Sequence, residues 1–124
     1  MPIRTRRWND SKFPGDGWRL LICRFRPRGL PTEEETWHAW WKQLGPSPEL
    51  HAAFYGKAGQ AISVDEYRAR FLEEMKTQAG RIQELATRVR GGETITLLCS
   101  AACKAELRCH RILVQRLIEE AVAR

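Results

Sequence analysis

Apolar residues gather in two short continuous runs and several helical stripes. Residues 18–25 (WRLLICRF) have an unbroken apolar centre, the mark of a buried strand. Residues 94–99 (TITLLC) repeat that character with β-branched side chains and predict a second strand. Residues 3–8 predict a weaker edge strand, because their alternation is poor. Trp37, Trp40, Trp41 and Leu44 stand at helical spacing, and Thr32 with Glu35 ahead of them reads as a capping box, so a helix is predicted there. Ser47 as N-cap and Pro48 at the first helical position predict the start of another. Ser63 and Glu66 form a second capping box, with Val64, Tyr67, Phe71 and Met75 behind it. Ile82, Leu85, Ala86 and Val89 continue the helical pattern after a break at Gly80. Residues 106–122 predict an amphipathic helix with Leu107, His110, Val114, Leu117 and Ala121 on one stripe. Residues 9–17, the RPRG of residues 26–29, and Gly91-Gly92 punctuate these elements as loops and turns. Strand, helices, strand and helix in that order imply an α/β domain, a small parallel sheet flanked by helices, with residues 1–124 forming one domain.

Length and composition narrow the class. The chain has 124 residues, enough for one core but not for a separate cofactor domain. Hydrophobic residues make up 43% and include five Trp, which separates the chain from disordered sequences. No apolar run approaches the roughly 20 residues that span a bilayer, and the charged N-terminus has no apolar signal core. A cytoplasmic protein without a membrane partner is therefore expected.

The charge is unevenly placed. Residues 1–28 hold eight basic residues against Asp10 and Asp16, and the other 96 residues carry thirteen of each sign. The whole net charge of +6 thus lies in the first quarter of the chain. A segment of this kind attracts phosphate, nucleotides or a nucleic-acid backbone, or serves only as a solvated face.

The stretch GWRLLICRFRPRGL at residues 17–30 resembles the domain-of-unknown-function 488 family in its YeaO-like branch. Arg19, Arg24, Pro27, Arg28 and Gly29 coincide with the family pattern G-x-R-x-L-V-D-R-L-W-P-R-G. Cys23 stands in place of its Asp and Arg26 in place of its Trp. GPSPEL at residues 45–50, the Tyr67 to Met75 helix, and the run from Thr96 to Leu117 with its Cys-His-Arg (residues 109–111) extend the likeness over most of the chain. The resemblance implies an α/β fold and assigns no activity. The two departures make the 23–28 loop more cationic than the family pattern and remove the family Asp as a base or ligand.

The strongest chemical constellation is Cys99, Ser100, Cys103, Cys109, His110 and Arg111. Cys99 ends a strand, and the loop after it leads to a helix N-terminus, where free amides and the helix dipole favour anions and thiolates. If the two strong strands are parallel, Arg24, Arg26 and Arg28 emerge at the same sheet edge. Guanidinium forks suit phosphate and carboxylate oxygens. One shared anion site is the expectation, with Arg24, Arg26, Arg28, Ser100 and Arg111 as ligand contacts.

Three readings compete for the thiols. Cys99 or Cys103 is a nucleophile or redox thiol with His110 as its base; or Cys99, Cys103, Cys109 and His110 hold zinc, despite a spacing unlike standard fingers; or Cys103 and Cys109 form a disulfide, against cytosolic reducing conditions. Cys99 and Cys109 as small buried hydrophobes is the plain alternative. Cys23 reads as structural, His38 and His51 as surface residues, and Ser47 as a cap rather than a nucleophile. No metal site and no cofactor is adopted: the glycine pairs match neither GxGxxG nor GxxxxGKS. Three functions follow: an anion-binding domain for a small molecule or nucleic acid, a thiol enzyme acting on an anionic substrate, and a homodimer joined through the tryptophan helix.

Overall fold

The structure is a computed structural model and describes residues 3–57, 59–100 and 110–124. The strand predicted at residues 94–99 forms β4 (Ile95–Cys99), and all five of its residues are buried. Burial on both faces explains its continuous apolar character. It lies between β1 (Ile3–Arg7) and β2 (Trp18–Leu21), and the short β3 (Ala39–Trp40) extends the sheet beyond β2 in the order β1-β4-β2-β3. Every pairing is parallel, with Ile3 and Trp18 both opposite Ile95, and Leu20 opposite Ala39. The weak alternation of β1 is that of an edge strand.

Among the described residues four helices pack on this sheet: α1 (Pro48–Phe54), α2 (Val64–Met75), α3 (Ala79–Arg90) and α4 (His110–Ala123). They cover the sheet face that carries Ile3, Leu20, Ile95 and Leu97, and with it they enclose Leu50, Phe71, Leu85, Val114 and Ile118. Two predicted caps form. Ser47 Oγ accepts from the Leu50 amide at 3.1 Å, and Ser63 Oγ accepts from the Glu66 amide at 3.0 Å. The helical break falls just ahead of Gly80, where Lys76–Gln78 tightens into a 3-10 turn. Residues 106–109 of the predicted last helix lie outside the described residues. None of the helices among the described residues is long and apolar enough to cross a membrane.

Among the described residues the opposite face carries no helix. Leu21, Cys23, Leu98 and Cys99 are buried there beneath Trp8 and Trp37, whose rings meet edge to face at 6.4 Å. Beside them Arg19 stands 2% exposed, with Nη1 2.5 Å from Oδ2 of the buried Asp16. Arg4 and Arg6 both reach Asp16 Oδ1 at 3.3 Å, and Thr96 Oγ1 donates to the Asp16 carbonyl. One carboxylate thus neutralises part of the basic N-terminal quarter internally. Burial would raise the Asp16 pKa, but the Phe13 amide and the charges of Arg6 and Arg19 outweigh it and hold the carboxyl below its usual range.

The tryptophan segment corrects the helix expected over residues 37–44. Its backbone pairs with β2 instead: the His38 amide donates to Arg19 O at 2.8 Å and the Trp41 amide to Leu21 O at 2.9 Å. Short 3-10 turns at Thr32–Glu34 and Lys42–Leu44 flank β3, and the Thr32–Glu35 capping box does not form. Tryptophan suits a strand as well as a helix, and long-range partners decide. Trp37 meets Trp8, while Trp41 meets Trp18 at 5.7 Å. The strand predicted over 18–25 also ends early. After Leu21 the Ile22 amide, donating to Leu98 O, continues the ladder by one bond among the described residues.

Candidate functional site

Three parallel strands end beside a cavity of about 460 Å³. Trp8 follows β1, Cys23 to Arg28 follow β2, and Cys99 and Ser100 close β4; all of them line it. Pro46, His51, Phe54, Tyr55 and Lys57 line it from α1 and its flanks, Tyr67 from α2 and His110 from α4. This is the carboxyl edge of the sheet, where open α/β folds bind ligands. The 23–28 loop and the Cys99–Ser100 end of β4 therefore meet in one cavity.

The basic residues there differ in what they already hold. Arg24 Nε donates to Pro46 O at 2.9 Å and Nη2 to Gly45 O at 3.4 Å, so its guanidinium ties the 23–28 loop to the entry of α1. Gly45 permits this approach: a Cβ on it would lie 2.5 Å from the Arg24 amide nitrogen. Arg26 forks onto Glu35 Oε2 at 2.9 and 2.8 Å. The extra charge that Arg26 brings to the loop is thus neutralised by a partner nine residues on. Arg28 is exposed, and among the described residues it makes no hydrogen bond or ion pair. Lys57 is exposed and also lines the cavity.

Two thiols and two imidazoles face the same space. Cys99 is 1% and Cys23 8% exposed, and neither forms a disulfide. Cys99 Sγ sits 3.7 Å from the carbonyl oxygen of Ser100. His110 Nε2 lies 2.8 Å from Ile22 O, a geometry that calls for the Nε2–H tautomer donating to the carbonyl. His51 packs between Phe25 at 5.3 Å and Tyr55 at 4.6 Å. Burial, then the charge of Lys57, hold its pKa below the usual imidazole range.

Of the residues singled out from sequence, Arg24, Arg26, Arg28, Cys99, Ser100 and His110 are brought together in this lining. Arg111 is not. It is 7% exposed, its Nε and Nη1 have no hydrogen-bond partner among the described residues, and its charge acts on Asp10 at the end of β1. Cys103 and Cys109 lie outside the described residues, as do the zinc and disulfide readings that need them. Among the described residues no three His, Cys, Asp or Glu side chains gather as a metal site. His51 and Cys23, expected at the surface and as structural, both line the cavity. Phe54, Tyr55 and Lys57 are not among the sequence candidates, and Tyr67, read only as part of a helical stripe, lines the cavity as well. The spacing of His51, Phe54 and Tyr55 at i, i+3 and i+4 was the signal that could have found one face of α1.

Residues 3–122 match the family model described as the "Active DUF488-N3 subclade". The chain belongs to the DUF488 family. This DUF488 chain is 30% identical over 104 residues to the uncharacterized protein YeaO of Escherichia coli (strain K12), covering 82% of the chain and 84% of that protein. It is also 30% identical over 77 residues to the uncharacterized protein Rv3073c of Mycobacterium tuberculosis (strain H37Rv), covering 62% of the chain and 63% of that protein. No solved structure matches it. Against the family pattern, the Asp-to-Cys departure puts Cys23 in the cavity wall, and the Trp-to-Arg departure puts the Arg26–Glu35 pair beside it.

Proposed function

We propose that this DUF488 protein binds a small anionic ligand, phosphate-bearing in the first instance, in the cavity at the carboxyl edge of its sheet. One observation carries the reading: the described lining holds Arg24, Arg26, Arg28 and Lys57 and no Asp or Glu. Arg28 offers a planar donor fork. Lys57 adds a second positive charge, and the buried Cys23–Cys99 wall lowers the local dielectric, which strengthens both attractions. A homodimer joined through the tryptophans has less support, since in that segment only Trp40 keeps a large ring exposed among the described residues. A cytoplasmic setting, in which both thiols stay reduced, belongs to the same proposal. Titration calorimetry with inorganic phosphate tests it. Binding that weakens with salt and falls about tenfold or more in Arg28→Ala supports it, and equal binding by that variant overturns it.

A second reading has its own observation. Cys99 and His110 line the cavity with the cations, so a thiol acting on the bound anion is also supported. The description of the matched subclade as active agrees with it. Under this reading iodoacetamide labels Cys99 selectively near neutral pH, and phosphate slows the labelling. Labelling no faster than after unfolding, and indifferent to phosphate, removes it.

A further inference from the structure

Bare phosphate would leave most of this cavity unused. A volume of about 460 Å³ is on the scale of a small organic ligand. Its mouth holds two large rings that the core does not bury: Phe25 is 54% and Tyr55 59% exposed, one on either side of His51. Deeper in the wall, Phe54 stacks on Tyr67 with centroids 4.2 Å apart and planes 24° from parallel. Exposed aromatic area beside a cavity is unfavourable in water and becomes favourable once a flat partner covers it. The cations line the same cavity and are near these rings in sequence: Arg28 is three residues from Phe25, and Lys57 two from Tyr55.

We propose that the ligand joins its anionic group to a flat unsaturated ring, as a mononucleotide does, with the ring held at Phe25 and Tyr55 and the anion at Arg28 and Lys57. This rests on the anion reading above and adds the ring to it. A cavity of about 460 Å³ suits one nucleotide better than a nucleic-acid strand, which tracks along a longer groove.

The test compares adenosine monophosphate, ribose phosphate and a short oligothymidylate by calorimetry, on the wild type and on the Phe25→Ala/Tyr55→Ala double variant. Both rings are exposed, so the variant keeps the fold, and far-UV circular dichroism verifies this. Adenosine monophosphate is expected to bind about tenfold tighter than ribose phosphate to the wild type, the worth of one stacked base. In the double variant the two affinities converge while that for ribose phosphate stays unchanged. Equal binding of both phosphates by the wild type overturns the ring and leaves the anion site standing. Failure of both to bind overturns the two together. Oligothymidylate binding far tighter than the mononucleotide assigns the site to a strand and also overturns the proposal.

Discussion

His110 Nε2 meets the Ile22 carbonyl oxygen at 2.8 Å across 88 residues of sequence. The contact joins the end of β2 to the start of α4, the two elements between which the cavity opens, and it satisfies a carbonyl that the sheet ladder has left behind. His110→Ala removes the donor, leaves that buried carbonyl unpaired, and empties space against Phe71, whose ring is 5.6 Å away. A loss of roughly 2 kcal/mol in urea unfolding is expected. An unchanged midpoint would show that the contact contributes nothing.

Arg24 and Arg28 lie four residues apart and should separate cleanly. Arg28→Ala is expected to weaken phosphate binding about tenfold or more, the worth of a charge-assisted contact, with an unchanged Tm. Arg24→Ala removes the ties to Pro46 and Gly45 and is expected to lower Tm, because the 23–28 loop then loses its anchor. Calorimetric titration and thermal unfolding on both variants check the contrast.

Glu35 holds Arg26 away from service as an anion contact. Glu35→Gln keeps the shape and frees the charge, so phosphate affinity should rise about two- to fivefold, the scale of one partly exposed charge. A fall in affinity would instead mean that the pair shapes the cavity.

Asp16 is an acid-sensitive element of the fold. Its folded pKa lies below the ordinary 3.8, so its contribution is complete above that value and is lost as pH falls through the folded one. Asp16→Asn leaves Arg19 buried without its counter-charge and is expected to cost roughly 3 kcal/mol. The variant should also lose much of the drop in stability that is expected of the wild type in denaturant titrations taken below about pH 4.

His51 reports on the cavity directly. Its folded pKa lies below 6.5, so the ring is neutral at pH 7 and its contribution to stability is lost as pH falls from that value through the folded one. An anion bound beside it favours the protonated ring, and by linkage saturating phosphate should raise its pKa. Imidazole proton shifts followed against pH, with and without phosphate, measure this. An unmoved titration in the presence of bound phosphate would locate the anion elsewhere.

The sequence alone determined what depends on local pattern. The buried run of β4, the start of β2, the serine caps of α1 and α2, and the helical stripes could be read because period, β-branching and capping are properties of neighbouring residues. The convergence of the 23–28 loop and Cys99 also followed, since parallel strands deliver their carboxyl ends to one edge. Only the tertiary structure decided the rest. Trp40 became part of a strand because β2 offered its backbone a ladder, which a spacing of three and four residues does not reveal. The basic quarter divided into neutralised and available charge according to partners such as Asp16 and Glu35, and ion pairing depends on distances that the fold creates. His51 turned from an expected surface residue into a cavity wall for the same reason: which side of α1 meets the sheet edge is settled by packing, not by the helix itself.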